Sequence, residues 1–189
     1  MAENIRFYPK TYQMSDELKA FFTEITNNEK LQEQLYNTEK LSDVADIANG
    51  LGFNVTGAEV LQAQAGRVLA ILDEQSDDVE RLTAGIKPKT GVQWGRGGGG
   101  FLDSAGYWLR ALSSENTLTK VEEEINKLLA NSEQDKDLER KLLDAKTFND
   151  LAELFQEYGF KVSATDLLSH QAQKVLALSE EQAGKVADN

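Results

Sequence analysis

The chain has 189 residues, of which 40% are apolar and 8% aromatic, enough for one ordinary domain or two small ones and too rich in core-forming residues for a disordered segment. Its 32 acidic and 20 basic side chains leave a net charge of −12, which repels phosphate backbones and anionic lipid, so neither a nucleic-acid partner nor membrane insertion is expected. The absence of cysteine excludes disulfides, cysteine-ligated metal sites and thiol nucleophiles, and no apolar run is long enough for a signal peptide or spanning helix; the expected location is cytoplasmic.

Residues 1–14 read as an N-terminal arm. Leu18, Phe21, Phe22 and Ile25 then recur at spacings of three and four, as the buried face of a first helix requires. Leu31 and Leu35 mark a second, short helix. A third is expected to start near Ser42 as its N-cap, to carry Val44, Ile47 and Ala48, and to stop at Gly52, because a left-handed helix end favours glycine. In Thr56-Gly57-Ala58-Glu59 a hydroxyl precedes a carboxylate by three residues, the reciprocal capping pattern, and the helix that follows buries Val60, Leu61, Val68 and Leu72. Phe53 sits in the turn, placed to plug the space between the helices it joins.

The same order of signals returns with an offset of 107 residues, the distance from Gly52 to Gly159. Leu31 pairs with Leu138, Leu35 with Leu142, Ala45 with Ala152, Leu61 with Leu168, and Val68-Leu69-Ala70 with Val175-Leu176-Ala177. Ile125, Leu128 and Leu129 repeat the first helix, Phe160 repeats the plug, and Ser163 with Asp166 repeats the capping box in a form expected to be weaker because Asp is shorter than Glu. A period this long, seen twice, argues for tandem domains.

The segment between the copies differs in character. From Ile86 to Leu112 it holds Pro88, the glycine cluster from Gly95 to Gly100, both tryptophans, and Lys87, Lys89, Arg96 and Arg110 against Asp103 alone. Leu102 to Leu112 has the spacing of a short helix. The expected fold is therefore all-α: an arm at 1–14, a helical module at 15–85, a basic, aromatic, glycine-rich linker at 86–117, and a second module at 118–189. Each module carries its own caps and apolar faces and is expected to be helical when expressed alone.

The run from Ser15 to Phe22, followed by Leu31, Leu35, Val44, Ile47-Ala48, Gly52-Phe53 and Val55-Thr56, resembles the nitrogen-fixation-associated leader domain of the Nif-eleven type, common in cyanobacteria. The resemblance covers about residues 15–85 and 120–187 and implies a helical element of the kind that guides modifying enzymes to ribosomally made peptide precursors. Such leaders end in a short helix and a double-glycine cleavage point. Ser76 to Gly85 resembles that ending, with Ala84-Gly85 at the cleavage position, whereas Leu178 to Ala187 is followed by Asp188-Asn189 instead.

Catalysis is not expected. His170, the sole histidine, stands where the first copy has Ala63; Ser169 and Asp166 lie on its own helix, so no nucleophile, base and orienter converge from separate elements, and a surface position is the expectation. Gly95, Gly97 and Gly100 meet the spacing of a dinucleotide fingerprint, but any glycine run does, and no strand precedes them. Asp77-Asp78 and Glu122-Glu123-Glu124 lack the alternation of a calcium loop and read as solvated helix faces. No cofactor or metal is expected. The side chains singled out for partner binding are Trp94, Arg96, Phe101, Tyr107, Trp108 and Arg110, since aromatics beside arginine are the usual anchors of protein interfaces. The leading expectation is a non-catalytic scaffold or adaptor that binds protein partners, a modifying enzyme or larger assembly among them. The alternative is a precursor of a peptide-modifying enzyme, with the modified stretch after Gly85.

Overall fold

The computed structural model describes residues 12–74, 78–84 and 120–188, and the described residues form ten α-helices and no strand. The first half contains α1 (Asp16–Asn27), α2 (Glu29–Tyr36), α3 (Leu41–Gly50), α4 (Gly57–Glu74) and α5 (Asp78–Thr83). The second contains α6 (Lys120–Gln134), α7 (Lys136–Asp144), α8 (Phe148–Glu157), α9 (Ala164–Ala177) and α10 (Glu180–Ala187). The all-α expectation holds. The linker expected at 86–117, including the helix expected at Leu102 to Leu112, lies outside the described residues.

Local signals set most helix boundaries. The Ser15 hydroxyl accepts from the Leu18 amide at 3.3 Å and starts α1, while Asn28 ends α1 and caps α2 by accepting from the Leu31 amide at 3.2 Å. Asp135, its counterpart at the 107-residue offset, caps α7 through the amides of Asp137 and Leu138. The boxes opening α4 and α9 are both complete. Glu59 accepts from the Thr56 amide at 2.9 Å and returns its own amide to the Thr56 hydroxyl at 3.2 Å; Asp166 and Ser163 do the same at 3.0 and 3.1 Å. The shorter Asp166 thus closes its box as well as Glu59 does.

The start of α3 differs from expectation. Its N-cap is Lys40, two residues before Ser42, and the Asp43 carboxylate accepts from the Lys40 amide at 3.2 Å. Asp43 closes half of a box from inside the helix, so the hydroxyl of Ser42 is not needed. At the other end, Gly52 has φ +92° and its counterpart Gly159 has φ +84°. In both turns the next amide reaches back five residues, Phe53 to the Ala48 carbonyl at 3.0 Å and Phe160 to the Phe155 carbonyl at 2.9 Å, which closes a Schellman motif that only glycine enters without strain.

One continuous apolar core runs through both halves. Its largest fully buried side chains are Phe21, Phe148 and Phe155, with Leu18, Ile25, Leu35, Leu61 and Ile125 around them. Each of these stabilises the fold by about 1.5–3 kcal/mol through burial alone. The central seam is α4 against α9. α10, which follows α9 in sequence, packs along α4 and touches α3; α5, which follows α4, lies on α9 and α8 as well as on α4.

Candidate functional site

The six side chains marked by sequence for partner binding, Trp94, Arg96, Phe101, Tyr107, Trp108 and Arg110, all lie outside the described residues. What the structure brings together instead is the seam between the halves and the surfaces bordering it.

The two seam helices α4 and α9 each bury a glutamine at the same position of the 107-residue correspondence: Gln64 is 7% exposed and Gln171 is fully buried. The Gln64 carbonyl oxygen has no hydrogen-bond partner among the described residues. Buried amides among apolar neighbours cost stability unless they are satisfied, and they restrict how two helices register. Periodicity alone reads both residues as polar and therefore exposed, so sequence missed them.

Next to Gln171 on α9, His170 is half-buried, not at the surface as expected. Burial pulls its imidazole down to about 4; the nearby Glu122 carboxylate opposes that shift and the Lys174 ammonium reinforces it. Glu122, on α6, pairs with Lys174 at 2.7 Å and both are largely shielded from water, while Glu124 accepts from the Lys161 amide at 2.9 Å. Two of the three glutamates read as a solvated acidic face therefore tie α6 to α9 and to the turn that precedes it. An imidazole held down by burial stays neutral at neutral pH.

In the first half, the Tyr12 hydroxyl donates to the Glu59 carbonyl at 3.1 Å, and its ring lies against Gly66, where a Cβ would meet the ring at 3.4 Å. Burial, and secondarily the Glu59 charge, pushes the Tyr12 phenol up to about 12. The end of the N-terminal arm is thus packed on α4. On α5, Asp78 is buried with the Arg81 guanidinium 3.8 Å away, which corrects the reading of Asp78 as a solvated acid. Among the described residues the large apolar side chains left exposed are Tyr36, Leu51 and Leu143, and Tyr36 and Leu143 are counterparts at the ends of α2 and α7. Single exposed apolar residues of this kind are ordinary on protein surfaces.

No cluster of histidine, aspartate and glutamate among the described residues is arranged to hold a metal ion, and no described helix is long and apolar enough to cross a membrane. Comparison with known families matches residues 15–60 to the Nif11 domain. The match takes in α1, α2, α3 and the first turn of α4, and with it a leader-peptide-like helical element. The chain matches none of the curated proteins and none of the solved structures compared with it.

Proposed function

We propose that the chain is a doubled Nif11-type module that works as a non-catalytic, protein-binding scaffold in the cytoplasm, with the basic aromatic segment at 86–117 as an added contact. The observation that favours a scaffold over a cleaved precursor is the burial of α5. Its Leu82 and Thr83 are only 1% and 7% exposed, and they stand immediately before Ala84-Gly85, the position a leader peptidase would need. Proteases bind their substrates as extended, accessible chain, so cleavage there requires α5 to leave α8 and α9 first. The doubling rests on paired positions: the glycine stops, the capping boxes and the buried glutamines fall at one offset in both halves.

The partner surface this reading calls for is acidic, with carboxylates for Arg96 and Arg110 and pockets for Trp94 and Trp108. Alanine at both tryptophans should weaken capture of such a partner at least tenfold, about 1.4 kcal/mol, without loss of helical circular dichroism. Retention of the same partners by the double variant would remove 86–117 from the binding surface.

The second reading is a precursor modified after Gly85, favoured by the match of residues 15–60 to a leader-peptide-like family. Intact mass of the protein from its native cell separates the two. An unmodified full-length chain supports the scaffold, and cleavage after Gly85 or added mass within 86–112 overturns it.

A further inference from the structure

The last helix of each half lies on the other half: α10 on α3 and α4, α5 on α8 and α9. We propose that the face formed by α3 and α4 is a helix-receiving site whose resident ligand is α10. It takes helices of one chemistry: small residues one turn apart on the docked side, and a C-terminal carbonyl within reach of Lys40. α10 meets both requirements, with Ala183 and Ala187 buried and the carbonyl of its C-cap, Asp188, 2.8 Å from the Lys40 ammonium.

Three positions carry the argument, because at each the first half departs from its counterpart in the second and each departure serves the contact with α10. Gly57 stands where the second half has Ala164. A Cβ on Gly57 would lie 2.9 Å from the Ala187 Cβ and 3.3 Å from the Ser42 Cα, so α10 reaches its seat only because that atom is missing. Gly57 is also the first residue of α4, where a glycine lowers helix propensity with no gain to α4 itself.

Lys40 is the second position. Its counterpart Thr147 caps α8 by accepting from the Asp150 amide at 3.1 Å. Lys40 gives up that role, contributing no side-chain cap to α3, and donates to the Asp188 carbonyl instead. An ammonium at the C-terminal end of a helix is favoured by the helix dipole and satisfies a carbonyl with no partner inside the helix. Third, Gln62, where the second half has Ser169, donates to the Leu178 carbonyl at 3.3 Å, at the joint between α9 and α10. The first half therefore grips α10 at its entry, beneath its last turn and at its end. A competing helix in trans must displace α10 to bind.

The test uses the full chain. Ala187→Asp places a carboxylate against Gly57 and should release α10. By hydrogen exchange, amides in 41–60 should then exchange at least tenfold faster while those in 148–177 keep their protection. A fluorescein-labelled peptide of residues 178–189 should bind the A187D chain, fail to bind the wild-type chain whose site is filled, and fail again on A187D/G57L. Protection lost in 148–177 and not in 41–60, or equal peptide binding by the wild-type and A187D chains, would overturn the proposal. Should A187D not fold, Lys40→Thr keeps it testable: faster exchange of α10 supports it, and unchanged exchange there counts against it.

Discussion

The two halves plug the same turn with aromatic rings drawn from different helices. At the 107-residue correspondence, the first half places Phe21 on α1 where the second has Leu128 on α6, and the second places Phe155 on α8 where the first has Ala48 on α3. The turn phenylalanine finds an aromatic partner either way. Phe53 meets Phe21 with ring centroids 5.6 Å apart, and Phe160 meets Phe155 at 6.0 Å, edge to face. The second ring of each pair comes from α1 in the first half and from α8 in the second, and both turns stay plugged. What is held constant between the halves is an aromatic pair at the turn, and the helix that supplies its second ring differs.

That comparison breaks most sharply at Phe155. Its ring is fully buried, and truncation to alanine should cost about 3–5 kcal/mol in denaturant unfolding. Adding Leu128→Phe recreates the arrangement of the first half and should recover more than about 1 kcal/mol of that loss. Strict additivity of the two changes would mean that a ring on α6 does not stand in for the one on α8.

A smaller effect comes from the second contrast, His170 against Ala63. The folded-state pKa of His170 is about 4, below its ordinary 6.5, so the unfolded chain binds the proton more readily. The stability that goes with neutral His170 is whole above about pH 6.5 and is lost as pH falls toward 4, by up to about 3 kcal/mol. His170→Ala copies the first half and should flatten the melting temperature between pH 6.5 and 4 relative to wild type. An unchanged slope would place the acid sensitivity in the carboxylates instead.

The smallest effect tests where the halves agree. Gly52→Ala and Gly159→Ala should each cost about 1 kcal/mol, since a side chain at positive φ is strained at both sites; open space surrounds each, so no clash adds to the cost. Equal losses would support equivalent turns, whereas a neutral result at one site would show that its turn relaxes.

Much of this protein was legible in its residues. The periodicity of Leu18, Phe21 and Ile25, the boxes at Thr56 and Ser163, and the stops at Gly52 and Gly159 are local signals, acting within one or two helical turns, and each led to the element observed. The six residues marked for partner binding lie outside the described structure, so their role rests on their chemistry alone. Tertiary packing decided the rest. Gln64 and Gln171 are polar in any periodic pattern, and only the packing of other helices around α4 and α9 buries them; His170 reads as a surface residue until that packing covers it and sets Glu122 nearby. The placement of α10 on α4 could not be read from α10, because its short amphipathic face of alanines fits any close-packed groove. The choice is made by the missing Cβ of Gly57 and by the reach of Lys40, more than a hundred residues away in sequence, and pairings at that distance depend on how whole helices pack.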